Sequence, residues 1–266
     1  MNRARPYAAK ARVAQVARQL DDLDRTVVEL LGSFKVLSGR QVQRLLYGGS
    51  TDFRSRQGRA TRRRLSRLAE FDVVQMLERR IGGRGGGSAE AIYCLGLVGQ
   101  RLVDGRARPR RYQEPGWAFL HHTLAIGEMY VLLVEQARID EGFEVVTFEP
   151  EPVSWRTFTN QAGEAVSLRP DAYTVTKTAG RRSHWFVEVD LATEGRTAIR
   201  TKMARYLDYL HTGQEQQRLN GVFPRVLWQT DDPQRRRWLQ SQADWLAGPP
   251  GLHVTSGLIR EPPHAA

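Results

Sequence analysis

The chain has 266 residues, 41% of them hydrophobic, with 40 basic and 29 acidic side chains and a formal net charge of +11. That length accommodates two ordinary domains, and the apolar share supports a buried core, which excludes a disordered or fibrous chain. A single cysteine, Cys94, excludes an internal disulfide and a cysteine-based zinc cluster and fits a reducing cytoplasm, and no apolar run approaches the roughly 20 residues of a membrane span, so no membrane partner is expected.

The charge is unevenly placed. Residues 1–113 hold 24 of the basic and 10 of the acidic side chains, a net of +14, which leaves the remainder at −3. Such a split suggests a polyanion-binding module joined to a domain with another task. Only Lys10, Lys35, Lys177 and Lys202 are lysines. An arginine skew follows as readily from a GC-rich genome as from function, so position is more informative than composition.

Residues 1–20 are basic, contain no acid and lack the apolar core of a secretory signal. They read as a basic arm or tail rather than a transit peptide. A helix is expected from about Asp21 to Ser33, with Leu23, Val27, Leu30 and Leu31 at helical spacing and Asp21, Asp22 and Asp24 in its first turn. Ser38-Gly39-Arg40-Gln41 reads as a capping box for a second helix through Leu46, closed by Gly48-Gly49. A third helix, about Gln57–Glu70, falls in a segment with seven arginines between Arg54 and Arg67. Thr61, Leu65 and Leu68 share one face and would pack inward. Arg59, Arg63 and Arg67 line another, flanked by Arg62 and Ser66, with Arg56 ahead of them. This is the composition of a recognition helix lying in a DNA groove.

Phe71–Arg79 and Ala91–Leu95 read as two strands joined by the glycine-rich stretch Gly82–Gly87, followed by a short helix, Gly99–Asp104. Helix, helix, basic helix and a hairpin with a flexible basic tip is the order of a winged helix, here spanning 21–104, with Arg84 at the wing tip positioned for a phosphate or the minor groove. A solvated charged face is the plainer account of an arginine run. The single sign of the run and the glycine hairpin behind it favour double-stranded DNA. Phosphate contacts of this kind supply affinity but little sequence information.

After a linker at 105–115, a long amphipathic helix is expected at about Trp117–Arg138. Strands follow at Phe143–Phe148, Leu168–Thr176 and Trp185–Leu191, then a helix at Thr197–His211, a strand at Arg225–Gln229, a helix at Pro233–Leu246 and a last strand at Leu252–Thr255. The order α-β-β-β-α-β-α-β describes a mixed α/β domain over 116–256, with 257–266 as a tail. The fold class is therefore α/β, or α+β over the whole chain. Side chains alternate along a strand, so Glu188 and Asp190 should project together, with Val187, Val189 and Leu191 on the opposite apolar side. Asp171 on the neighbouring strand could meet Glu188 and form an oxygen-ligand site suited to Mg²⁺, which can activate water and neutralise charge on a phosphate. Solvent-facing strand residues are the competing account. His121-His122 reads as a helix-start surface pair. His184 is a candidate phosphate donor or a strand-end polar residue.

Arg169-Pro170-Asp171, Glu188-Val189-Asp190 and the helix bearing Lys202 and Tyr206 resemble the PD-(D/E)xK nuclease superfamily. With the winged helix ahead of them, the chain from about Asp21 to Thr255 resembles the replication-relaxation family of plasmid and mobile-element proteins. The resemblance implies a restriction-endonuclease-like core fused to a DNA-binding domain, with a role in plasmid replication, relaxation or mobilisation. It implies relaxase or replication proteins as partners, and a homodimer is compatible with it. Asp171 and Glu188 would be the metal-binding acids, with the Val189 carbonyl a further ligand. The sequence departs from the pattern at Asp190, where a lysine belongs. Lys202 on the next helix is the candidate to supply the ammonium from another backbone position, and Glu128 on the first helix is a candidate added carboxylate. Two alternatives stay open: an active Mg²⁺-dependent endonuclease or nickase, and a winged-helix transcriptional regulator whose C-terminal domain dimerises.

Overall fold

The computed structural model describes residues 10–48, 54–81, 90–104, 115–160, 162–245 and 252–255. Helices and strands form two units, Met1–Val131 and Leu132–Ala266. The divide falls inside a long helix. Residues 105–114 of the expected linker lie outside the described residues, as do Arg84 and the 257–266 tail.

In the first unit α1 (Lys10–Ala17) precedes α2 (Asp22–Phe34), β1 (Val36–Ser38), α3 (Gly39–Tyr47), α4 (Arg56–Glu70), the hairpin strands β2 (Val74–Ile81) and β3 (Glu90–Leu95), and α5 (Leu97–Asp104). The helix starts are set by side chains that satisfy otherwise orphaned amides. Asp21 accepts from Asp24 N at 2.8 Å while Asp24 accepts from Asp21 N at 3.1 Å. Ser38 and Gln41 form the same reciprocal box at 3.2 and 3.0 Å. Ser55 caps α4 by accepting from Gly58 N at 3.1 Å. The three strands form a sheet in the order β1-β3-β2, with Val36 opposite Cys94 and Val74 opposite Leu95. Gly99 is required by close packing, because a Cβ there would stand 2.1 Å from the Val73 carbonyl oxygen.

The long helix α6 (Trp117–Ile139) straddles the divide. It is long and apolar enough to cross a membrane by length and composition, which corrects the expectation that no segment qualifies. Its apolar residues Leu120, Leu124, Met129, Val131 and Leu133 are buried in protein, as in the core helix of a globular domain. Leu120 and Leu124 pack with Val36, Leu77, Ile92 and Cys94.

The second unit continues with β4 (Phe143–Pro150), β5 (Arg156–Thr159), β6 (Ala165–Leu168), β7 (Ala172–Thr178), β8 (Arg181–Val189), α7 (Arg196–Thr212), α8 (Gln214–Arg218), β9 (Arg225–Gln229), α9 (Pro233–Trp245) and β10 (Leu252–Thr255). Its main sheet has the order β10-β9-β8-β7-β4, antiparallel from β4 to β8 and parallel from β8 to β10. Phe186, Trp228 and Tyr173 on one face pack with Ile199, Met203 and Tyr206 of α7 and with Leu239 of α9. The strand expected at Leu168–Thr176 is interrupted. Leu168 ends β6, which pairs with β5 in a separate hairpin, and β7 starts only at Ala172. Pro170 between them has no amide to donate to a ladder. Strand β8 likewise ends at Val189, so Leu191 stands 41% exposed rather than on the apolar side.

Candidate functional site

Helix α4 buries Thr61, Leu65 and Leu68 at i, i+4 and i+7, and this places the remaining positions outward. Arg56, Arg59, Arg62, Arg63 and Ser66 are exposed. Arg59, Arg62, Arg63, Ser66, Arg67 and Glu70 line one open depression on the surface. Arg59 is steadied by donating to the Arg54 carbonyl at 2.8 Å.

Arg64 and Arg67 have another task. Asp24, fully buried in α2, is in contact with both Arg64 and Arg67, and Arg64 also reaches Asp21 at 2.5 Å. Burial opposes the charge on Arg64, but Asp21, Tyr47 and Asp24 outweigh it and hold the guanidinium protonated beyond its usual range. The same contact with Arg64 holds the Asp21 carboxyl below its usual range. Arg67, grouped by its spacing with Arg59 and Arg63, thus shares its guanidinium with an acid from another helix. The open basic face consists of Arg59, Arg62 and Arg63, with Arg56 at the helix start.

In the second unit Asp171 sits at the entry to β7 and Glu188 near the end of β8, with Ala172 paired to Val187. Asp171 Oδ2 accepts from Val189 N at 2.7 Å, which fixes the carboxylate against the next strand. Glu188 is fully buried. Lys202 and Tyr206 lie one turn apart on α7, so both side chains reach the same place. The Lys202 ammonium is in contact with Glu188 Oε2 and lies 3.8 Å from Asp171 Oδ1, while Tyr206 OH donates to Glu188 Oε1 at 2.5 Å. Asp171, Glu188 and Lys202 therefore meet in one place, with Tyr206 as a fourth member.

Burial pushes the Glu188 carboxyl up to about 8, and Asp171 adds to the rise while Lys202 and Tyr206 act against it. Burial opposes the Lys202 charge, but Glu188 and Asp171 together hold the ammonium above its usual range. Burial, then the neighbouring Glu188, raises the Tyr206 hydroxyl well above its usual range, so it remains a donor.

Asp190 and Glu128 stand elsewhere. The Asp190 carboxylate accepts from Arg235 Nε of α9 at 2.5 Å and from Ala192 N at 2.9 Å. The negative charge at the position where the nuclease pattern has lysine is thereby neutralised by Arg235. Glu128 is in contact with Arg44 and accepts from Gln41 Nε2 at 3.1 Å, a pairing within the first unit. Tyr206 was legible only as a neighbour of Lys202. The i, i+4 spacing of the two was the available signal, whereas nothing near Arg235 in the sequence links it to Asp190.

Among the described residues no cluster of three or more His, Cys, Asp or Glu side chains is arranged to hold a metal. The site offers two carboxylates, and a resident ammonium stands where both can reach one cation. This hard-oxygen pair suits Mg²⁺, which takes one or two carboxylates and keeps several waters. Asp171 and Glu188 would hold it, and a bound ion of that kind supplies charge neutralisation at a phosphate and an acidified water.

No curated protein and no solved structure matches the chain. A family model described as replication-relaxation matches residues 28–226, a span that takes in α4, Asp171, Glu188 and Lys202. With well over half of its length matched, the chain belongs to the replication-relaxation family.

Proposed function

We propose that the protein binds double-stranded DNA as an accessory factor in the replication, relaxation or transfer of a plasmid or other mobile element. In this reading the first unit carries a winged helix and α4 is its recognition helix, lodged against phosphates of a groove. The observation that carries it is the open face of Arg59, Arg62 and Arg63, opposite the buried Thr61, Leu65 and Leu68. The chain order α2-β1-α3-α4-β2-β3, with the sheet order β1-β3-β2, supports the winged-helix assignment. Relaxase or replication proteins acting on the same DNA are the partners this role implies.

Each phosphate neutralised contributes about 0.9 to the slope of log affinity against log salt. Replacing Arg59, Arg62 and Arg63 together by Ala is therefore expected to lower the slope by about 2 to 3. Affinity should fall at least about tenfold near 0.1 M salt, and evenly across duplex sequences. Filter binding or fluorescence anisotropy over a salt series measures both. An unchanged slope with folded protein removes α4 as the DNA-binding element.

A second reading, that the C-terminal domain cleaves DNA, is favoured by the meeting of Asp171, Glu188 and Lys202. Pairing of Asp190 with Arg235 removes the electrostatic objection posed by its position. On this reading supercoiled plasmid is nicked in the presence of Mg²⁺, and both Glu188→Gln and Lys202→Met abolish the product. Intact plasmid over a range of metal conditions leaves the accessory role alone standing.

A further inference from the structure

Strand β8 begins four residues before its parallel neighbour. Arg225, the first residue of β9, is in register with Trp185, so Arg181–His184 are laddered to β7 on one side and to no described strand on the other. The segment leading into β9 turns past this free edge and leaves a notch of about 160 Å³, lined by Arg181–His184, Val222, Phe223 and Arg225. No acid lines it. That is notable in the part of the chain whose formal charge balance is negative.

The side chains in the notch are suited to an anion. Arg182 is exposed and has no acidic partner among the described residues. Arg225 stacks over the Trp185 ring at 5.3 Å, and its Nη1 is buried without a hydrogen-bond partner. A buried donor of that kind costs stability until an acceptor arrives. His184 Nδ1 lies 2.6 Å from Tyr173 OH, so Nε2 is the ring nitrogen left for a ligand. The volume is below the roughly 300 Å³ of small-molecule pockets, so the notch suits a single tetrahedral group rather than a whole nucleotide.

We propose that this notch is a phosphate-binding site, separate from both the α4 face and the carboxylate pair, in which Arg182, Arg225 and His184 hold one phosphate group. Along β8 it lies about 13 Å from Glu188, four residues at the strand rise. Arginine guanidinium forks match phosphate oxygens, and His184 adds a third donor when protonated. Burial holds the His184 imidazole below its usual range, and Arg182 and Arg218 add to this, while Glu215 acts the other way. The Glu215 carboxylate accepts from Arg156 Nε at 3.1 Å and from Tyr209 OH at 2.6 Å, and it is not among the residues that line the notch. A bound phosphate would offset the two arginine charges, and His184 would take up a proton.

The chemistry is shared by a phosphodiester of a DNA backbone and by an isolated phosphate, and the experiment separates them. The full chain carrying Arg59, Arg62 and Arg63→Ala removes the α4 contribution, and the His184 ring resonances are followed by NMR across pH. The probes are inorganic phosphate, against chloride at equal ionic strength, and a short duplex oligonucleotide. A saturable shift of His184 with a raised midpoint is expected, weakened at least fivefold by Arg182→Gln. Movement with inorganic phosphate assigns an isolated-phosphate site, and movement with the duplex alone assigns a backbone contact. Arg225→Gln should act likewise if the fold survives loss of the Trp185 stack. The exposed Arg182 supplies the test if it does not. A His184 signal that neither probe moves, or a shift that survives Arg182→Gln, overturns the proposal.

Discussion

Glu188 is a fully buried carboxyl with one ammonium against it. Its folded pKa of about 8 lies above the 4.5 of the free side chain. A group raised in this way stabilises the fold fully below about pH 4.5, and that contribution is lost as pH rises toward 8, because the unfolded chain then binds fewer protons than the folded one. The slope for one such group approaches about 1.4 kcal/mol per pH unit between the two pKa values. In chelator-treated buffer, thermal unfolding of the wild type between pH 5 and 8 should therefore fall relative to that of Glu188→Gln. Parallel curves for the two proteins would mean that Lys202 keeps Glu188 ionised throughout. At the same scale, Asp190 and Arg235 show how a residue of the wrong sign is tolerated. An ion pair with α9 compensates its charge.

Between elements, the arginine run of α4 divides by partner. Arg64 has a side chain only 14% exposed and joins α4 to the buried Asp24 of α2, while Arg63 faces outward. Removing Arg64 takes away one of the two cations against the buried Asp24 and leaves Arg67, at a cost of about 1–3 kcal/mol. Arg64→Ala should lower the midpoint of denaturant unfolding by an amount of that order, and Arg63→Ala should leave it within about 0.5 kcal/mol. DNA affinity should respond in the opposite order under conditions where both variants are folded. Equal stability of the two would show that Arg67 alone holds Asp24. The capping boxes at Asp21 and Ser38 were legible because they are local, a side chain and an amide three residues apart. The β5–β6 hairpin was not, because its four-residue strands carry too short an alternation to separate from loop.

Over the whole molecule, composition located an uneven distribution of charge. The excess positive charge of residues 1–113 coincides with the unit that carries α4, and the balanced remainder holds the buried Asp171–Glu188–Lys202 group. Helix periods, caps and strand alternation are short-range properties, and they determined the longer helices and strands of both units, the inward face of α4 and the residue types of the carboxylate pair, but not α1, β1, α8 or the β5–β6 hairpin. Which arginines face outward, that Asp190 answers to Arg235 and Glu128 to Arg44, and that a notch opens beside His184 were decided only in three dimensions. Each depends on a partner tens of residues away in the chain, and a charged side chain carries no sequence mark of the opposite charge that will neutralise it.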